Sequence, residues 1–448
     1  MSTADQPANG PFEGPEKLLE IWFAHSPADI PATTNGKLGL RKVPQSVWED
    51  MLDIVKCKIL SVVEGTEMDA YLLSESSFFV SPHRLILKTC GTTLNLLGVP
   101  RILDIARDAG FPTVHRLFYS RKAFMFPERQ HGPHREWRAE IEFLDNLFPN
   151  GSAYTVGKVN GDHWVLYLTA PGGGTSVNGD TAPSSQSILH EADDVDTKPS
   201  DVSPDTGPEG PLEDEADDAT ASDYTIEILM THLSPEGRAP FFSTSSPEDG
   251  DITAGADGLA LSSEIRITNI FPPHITTLDA YSFTPCGYSC NALLKWRPDA
   301  GQNPARSGEG YYTIHVTPED GWSYASFECN VPLASKPTNK PTDVPDLKTL
   351  IRRVVDIFRP GKLTLTLFIS CKGNDAAEEE EGETAVEAAQ RAFKAALMFP
   401  QARRKGEGDC NGSEPGAGLY KRTDKINYEF GGYDLAFASF ELRTASSS

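Results

Sequence analysis

Several segments of this sequence carry side chains able to move protons or hold charge at the spacing of an extended strand. In Tyr311 to Glu319, residues Thr313, His315, Thr317 and Glu319 share one face by the period of two, and Tyr312, Ile314 and Val316 share the other. A neutral imidazole titrates near pH 6.5, which suits it to general acid or base work. The same split recurs where Asp223, Thr225 and Glu227 oppose Tyr224, Ile226 and Ile228, and where Lys88 and Cys90 oppose Leu87 and Thr89. It returns where Thr364, Thr366 and Phe368 oppose Leu363, Leu365 and Leu367. Each strand alone reads as amphipathic with a solvated face. The recurrence of His, Cys, Lys and paired acids among Phe and Tyr points instead to sheets that turn apolar faces to helices and polar faces to an interior site.

The common catalytic signatures are missing. There is no G-x-S-x-G, H-E-x-x-H or Walker loop, and the Gly172 to Gly174 run lies in a polar stretch rather than after a strand, so neither NAD, ATP nor zinc is signposted. The seven cysteines form no C-x-x-C, which leaves reduced thiols as the default. What remains is Tyr71-Leu-Leu-Ser-Glu-Ser-Ser-Phe-Phe-Val80, followed by Leu85-Ile-Leu-Lys-Thr-Cys-Gly-Thr-Thr93. Taken bare, Ser74-Glu75-Ser76-Ser77 is a turn.

The elements that must position these residues alternate between strand and helix. Apolar spacing predicts helices over Thr92 to Ala109, Arg135 to Phe148 and Asp346 to Phe358. Asn160-Gly161 between two alternating runs predicts a hairpin. Phe148-Pro-Asn-Gly151 and Phe358-Arg-Pro-Gly361 end two of the helices alike, a faint repeat that suggests two similar halves. From about 171 to 221 the chain is Gly, Ser, Pro, Asp and Glu, a composition that reads as a disordered acidic insert. The stretches 373–384 and 403–418 read as further loops.

Of the 448 residues, Asp and Glu number 64 against 40 Lys and Arg, a net charge of −24. That balance argues against a nucleic-acid backbone as partner. No apolar run is long enough to span a membrane and the first ten residues lack a signal-peptide pattern, so the expectation is a soluble, cytoplasmic protein.

The 71–93 segment resembles the self-cleavage site of the eukaryotic S-adenosylmethionine decarboxylase proenzymes, L-S-E-S-S-x-F-V-S followed by I-L-K-T-C-G-T-T. Further similar blocks run in order along the chain, among them Phe12-Glu-Gly-Pro-Glu-Lys-Leu-Leu-Glu-Ile-Trp-Phe23, Phe118-Tyr-Ser-Arg-Lys122 and Glu140-Ile-Glu-Phe-Leu144. Pro285-Cys-Gly-Tyr-Ser289, Thr313-Ile-His-Val-Thr-Pro-Glu319 and Ser323-Tyr-Ala-Ser-Phe-Glu328 continue the series. The departures are the three inserts and Cys290 after Ser289.

The resemblance implies one α+β domain, a four-layer α/β/β/α sandwich of two similar halves with antiparallel-rich sheets. It implies cleavage between Glu75 and Ser76 into a β chain of residues 1–75 and an α chain of residues 76–448, with Ser76 becoming a pyruvoyl cofactor that forms a Schiff base with substrate. Ser289 and His315 would serve processing, and Cys90 would donate a proton in turnover. Glu13 and Glu16 would be active-site acids, although their spacing with Glu20 also fits a stripe on a surface helix. Phe12 and Phe283 would sandwich the adenine of S-adenosylmethionine, with Glu319 on the ribose and Glu75 beside the substrate. The activator putrescine would bind among Glu20, Lys88, Phe118, Asp223, Thr225, Glu227, Glu328, Phe368 and Tyr433. The family implies a homodimer of processed units, no metal, and a role in spermidine and spermine synthesis. A catalytically silent regulatory homologue is the alternative.

Overall fold

A computed structural model of the chain describes residues 11–30, 37–169, 175–176, 223–243, 254–295, 308–333, 343–399 and 420–443. The first half contributes strands β1 (Lys17–Trp22), β2 (Ile59–Glu64), β3 (Asp69–Leu73), β4 (Ser76–Val80), β5 (Arg84–Thr89), β6 (Arg116–Lys122), β7 (Gly151–Gly157) and β8 (His163–Thr169). The second contributes β9 (Tyr224–Leu233), β10 (Thr276–Ser282), β11 (Tyr288–Lys295), β12 (Glu309–Thr317), β13 (Tyr324–Cys329), β14 (Pro360–Ser370), β15 (Tyr420–Phe430) and β16 (Tyr433–Leu442). A two-residue ladder of Thr113–Val114 with Thr175–Ser176 stands apart and is left unnumbered.

Each half forms one antiparallel eight-stranded sheet, in the orders β2-β3-β4-β5-β1-β6-β8-β7 and β10-β11-β12-β13-β9-β14-β16-β15. Adding eight to every strand number of the first sheet gives the second, so the two halves share one topology. The helices cover the outer faces. On the first sheet lie α1 (Gln45–Val55), α2 (Val99–Asp108) and α3 (Trp137–Asp145), whose Trp48, Leu52, Ile102 and Leu144 pack on Leu19, Phe78, Leu87 and Tyr119. On the second lie α4 (Ala254–Glu264), α5 (Leu347–Phe358), α6 (Cys371–Glu381) and α7 (Ala385–Leu397), with Leu350, Ile351, Val354 and Phe393 packed on Ile226, Ile314, Phe327 and Leu365. The sheets meet through their inner faces, where Phe118, Trp164 and Leu168 touch Tyr433, Leu435 and Phe437, and Phe79 and Ile86 touch Leu293 and Tyr311. The result is the expected four-layer sandwich.

α5 illustrates the local logic. Asp346 caps its start by accepting the Thr349 amide at 3.1 Å, and Leu347, Leu350, Ile351, Val354, Val355 and Phe358 form its buried stripe. Burying each such side chain contributes about 1.5–3 kcal/mol of transfer free energy. Arg359, in the left-handed region at φ 45°, ends it before Pro360.

Two expectations need amendment. The stretch 373–384 is not a loop. It is largely helical, because Ser370 caps α6 by accepting the Gly373 amide, Ala376 to Glu381 are good helix formers, and Gly382 at φ 75° closes the turn. The two halves are real, but the repeat that suggested them joins non-equivalent points. Phe148-Pro-Asn-Gly151 precedes β7, whereas Phe358-Arg-Pro-Gly361 precedes β14, the counterpart of β6. For Glu13, Glu16 and Glu20, spacing alone also fits a helical stripe while the resemblance makes the segment a strand, and the strand is what forms. The second half of the segment is β1, paired on both sides with β5 and β6. The acidic insert at about 171–221 lies outside the described residues apart from Thr175–Ser176, and 403–418 lies wholly outside them.

Candidate active site

β3 and β4 pair as a hairpin with Leu73 opposite Ser76, so Ser74 and Glu75 form a two-residue turn. Glu75 sits at φ 56°, in the left-handed region that costs a non-glycine residue about 1–3 kcal/mol unless its surroundings hold it there. What holds it includes Cys90, just beyond the end of β5, whose thiol donates to the Glu75 carbonyl at 2.6 Å. The Cys90 amide lies 3.4 Å from Ser76 Oγ, and the two side chains are 4.0 Å apart. Cys57, which the sequence did not single out, lies beside Ser76, and burial pushes its thiol up to about 11. Burial and the Glu75 and Glu16 charges raise Cys90 well above the usual thiol range, so it stays a protonated donor. Glu75 itself is pushed up to about 7 by burial and by Glu319.

Alternation along β4 sends Ser76 and Ser77 to opposite faces. His315 therefore meets Ser77, its Nε2 2.9 Å from Ser77 Oγ, and not Ser76. Its Nδ1 is 2.9 Å from Ser289 Oγ, a cross-strand neighbour on β11. Thr313 and Asn291 complete the cluster, at 2.9 and 2.6 Å from Ser77 Oγ. Ser77, Asn291 and Thr313 have no place in the family-derived site, and the period of two would have brought Ser77 in. Burial, reinforced by the Lys88 charge, pushes His315 down to about 3, so the ring is neutral at neutral pH.

The acids of the 11–16 segment are already engaged. Glu13 accepts the Met125 and Phe126 amides at 2.7 and 2.8 Å, and burial raises its pKa. Glu16 accepts the hydroxyls of Tyr324 and Ser326 across the sheets. Both are buried. Phe12 lies against the Gly91 backbone, and Phe283 lies 4.9 Å from Tyr281, ring centre to ring centre. Phe283 and Glu319 are partly exposed.

The inner faces also gather the second group. Lys88 pairs with Glu328 at 2.8 Å with both side chains buried, and Tyr311 donates to the other Glu328 oxygen at 2.6 Å. Burial alone would lower the Lys88 ammonium, but Glu328, Glu16 and Glu227 outweigh it and hold it above its ordinary value. Thr366 bonds Glu227 at 3.2 Å, and Tyr433 donates to Asp223. Phe368 stacks on Tyr433 at 4.6 Å, Phe118 meets both edge-on, and Thr225 pairs with Phe368 in the ladder. Arg84 reaches Glu20 at 3.3 Å, and the Arg116 guanidinium lies 4.6 Å above the Tyr433 ring. Burial pushes Glu20 and Glu227 each up to about 7.

The family model of adenosylmethionine decarboxylase matches residues 9–441. The chain belongs to this family of enzymes. The S-adenosylmethionine decarboxylase proenzyme of Xenopus laevis is 36% identical over 362 residues, 80% of this chain and 83% of that one. The Drosophila melanogaster proenzyme is 35% identical over 430 residues, covering 96% and 95%. A Trypanosoma brucei AdoMetDC-delta26 monomer structure aligns at 18% identity and TM-score 0.47, over 82% of this chain and 100% of that one. Among the described residues no group of three or more His, Cys, Asp or Glu could hold a metal, and no helix is long and apolar enough to cross a membrane.

Behind the Glu75 turn of this decarboxylase family member lies a buried polar support on the helix side of the first sheet. Glu140 of α3 accepts Arg121 through Nε and Nη2, at 2.9 and 2.7 Å, the Tyr119 hydroxyl at 2.6 Å, and contacts His134 Nδ1 at 2.8 Å. Lys17, fully buried, donates to the Gly91 carbonyl beside Cys90 at 2.9 Å, and burial pushes it down to about 8. Removing one partner of a buried pair strands the other charge. Glu140→Leu is therefore expected to destabilise the protein by about 3–5 kcal/mol, read from urea unfolding. A loss under 1 kcal/mol would mean Arg121 finds water instead.

Proposed function

We propose that this chain is a self-processing, pyruvoyl-dependent decarboxylase of S-adenosylmethionine that serves spermidine and spermine synthesis. The observation that carries the reading is the Glu75 turn, a left-handed non-glycine residue whose carbonyl accepts the Cys90 thiol beside the Ser76 hydroxyl. Attack by Ser76 Oγ on the Glu75 carbonyl carbon puts negative charge on that oxygen, where the Cys90 donor already waits. Cleavage of the bond releases the strained φ.

His315, assisted by Ser289, is the base for the Ser76 α-proton. Because it contacts Ser77 before processing, the β4 segment must shift or the proton must pass through a hydroxyl. The surroundings fit a carbonyl at position 76, since the Cys90 amide donates toward the oxygen of that residue and the Cys90 thiol lies 4.0 Å from it. A pyruvoyl group supplies a ketone that takes up the substrate amine and draws electrons away from the departing carboxylate. Cys90, held protonated, delivers the quenching proton. Phe12 and Phe283 offer faces to the adenine and Glu319 accepts from the ribose hydroxyls. Glu13 and Glu16 act by fixing the 11–16 segment against Met125 and Tyr324. Intact mass should give two chains, residues 1–75 and 76–448, the larger blocked by pyruvoyl, together with release of labelled carbon dioxide from S-adenosylmethionine. A single unprocessed chain with no release refutes the proposal.

We further propose that putrescine binds between the sheets. Glu20, Asp223, Glu227 and Glu328 supply acids, Phe118, Phe368 and Tyr433 an apolar middle, and Lys88 offsets only part of the charge. Carboxyls raised to about 7 are protonated below that pH and must ionise to hold a dication. Putrescine should therefore bind more tightly at pH 8 than at pH 6 and release protons on binding, measurable by calorimetry in buffers of different ionisation enthalpy. Asp223→Val should abolish activation. Affinity that is flat or falls with pH, or activation that survives Asp223→Val, removes this site.

A further inference from the structure

A neutral histidine has one proton and two nitrogens, and which nitrogen is basic is set by its neighbours. Among the described residues, the contacts around His315 form a closed set. Nδ1 faces Ser289 Oγ at 2.9 Å, while Nε2 faces Ser77 Oγ at 2.9 Å and Thr313 Oγ1 at 3.0 Å. Ser77 and Thr313 are 2.9 Å apart. All of these side chains are buried, so each proton must find a partner inside the cluster.

The direction can be read from the end where it is fixed. The main-chain carbonyl of Tyr71 can only accept, so the Asn291 amide donates to it through Nδ2 at 3.0 Å. That turns Asn291 Oδ1 toward Ser77. Oδ1 can only accept, so the single Ser77 proton is committed to it at 2.6 Å. Toward His315, Ser77 then offers only lone pairs. An unprotonated Nε2 would face them at 2.9 Å with no proton between, whatever Thr313 does. A proton on Nε2 removes the conflict. Nε2–H donates to Ser77 or Thr313, Thr313 donates to Ser77, and Ser289 donates to Nδ1.

We infer that Asn291 is a positioning residue: acting through Ser77, it fixes His315 as the Nε2-protonated tautomer and so makes Nδ1, on the Ser289 side, the nitrogen that receives the proton during processing. The inference rests on the reading of His315 as the processing base. When the Ser76 Cα–H bond breaks, its electron pair forms the Cα=Cβ bond, the ester Cβ–O bond breaks, and Glu75 leaves as a carboxylate. The proton ends on Nδ1, directly or by exchange through the Ser289 hydroxyl, and the resulting imidazolium keeps its Nε2–H bond to Ser77.

The test uses full-length Ser76→Ala protein, which stays uncut, with histidine labelled in the ring nitrogens. Its His315 signals, assigned by their loss in His315→Gln, should show Nε2 protonated and Nδ1 bare. Adding Asn291→Leu frees the Ser77 proton for Nε2 and should move the ring toward the Nδ1-protonated form. In protein with Ser76 intact, the same Asn291→Leu change should slow chain cleavage by about 10- to 100-fold. Asn291→Asp, protonated on the oxygen that faces the Tyr71 carbonyl, keeps both the donor and the acceptor and should keep both the tautomer and most of the cleavage rate, which a merely structural role would not predict. If Asn291→Leu fails to fold, Ser77→Ala removes the same link. Finding Nδ1 protonated in Ser76→Ala, or an unchanged tautomer in Asn291→Leu or Ser77→Ala, overturns the inference. Wild-type cleavage in His315→Ala would instead overturn the role of His315 as base and leave the tautomer assignment standing.

Discussion

Ser76→Ala is expected to remain one chain of 448 residues under conditions where the unsubstituted protein separates into 75 and 373. The hydroxyl it lacks is the nucleophile of the proposed attack on the Glu75 carbonyl, so the effect is abolition and not a slowing. The fold should survive, because Ser76 contributes only its contacts with Cys57 and Cys90. Decarboxylation should vanish together with cleavage, since the carbonyl that would bind substrate never forms. Intact-mass spectrometry after prolonged incubation decides the matter. Two chains from the Ala variant would place the cleavage chemistry elsewhere, and activity in an uncut chain would dispose of the pyruvoyl requirement.

Cys90→Ala should affect both stages, to different degrees. From the sequence, Cys90 has only the resemblance-based role of proton donor in turnover, with cleavage untouched. The hydrogen bond to the Glu75 carbonyl adds a second role. Loss of one neutral donor there costs about 0.5–1.5 kcal/mol, which slows cleavage by roughly 2- to 10-fold. Loss of the general acid in turnover is larger, about 10²- to 10⁴-fold. Cys90→Ser separates the two roles. Its hydroxyl can still donate to the Glu75 oxygen, so cleavage should approach the normal rate, yet it is too weak an acid to replace the thiol in turnover. Single-turnover gels report the first stage and carbon dioxide release the second. Equal losses at both stages, or normal turnover in Cys90→Ala, would contradict this division.

The sequence by itself determined the faces. Period-two alternation separated His315 and Thr313 from Tyr312 and Ile314, and Glu227 from Ile226 and Ile228. That separation holds because one face must bury apolar area against helices, which leaves the other for polar groups. Helical spacing likewise gave α5 and its buried stripe. The blocks from Phe12 to Glu328 gave the family. Alternation is a local property, however, and it says nothing about what lies across the gap between two sheets.

Only the tertiary structure decided those pairings. It put Ser77, one residue from Ser76, against His315 from a strand more than two hundred positions away, and it sent Ser76 to the other face beside Cys57 and Cys90. It also supplied the internal partners of Glu13 and Glu16, the Met125 amide and the Tyr324 hydroxyl, which spacing along the chain did not name. It turned an acid-rich stretch into α6, because a cap, two alanines and a closing glycine prevail once a neighbouring sheet is present to pack on. It also moved the basis of the twofold design from a shared Phe-Pro-Gly ending to strand order, since topology is fixed by which strands share hydrogen bonds and not by how their helices end. Charge pairing, tautomer and backbone strain each depend on atoms brought within a few ångströms from distant parts of the chain. The reason such features stay hidden is that a linear sequence records which groups exist but not which partners will share their protons.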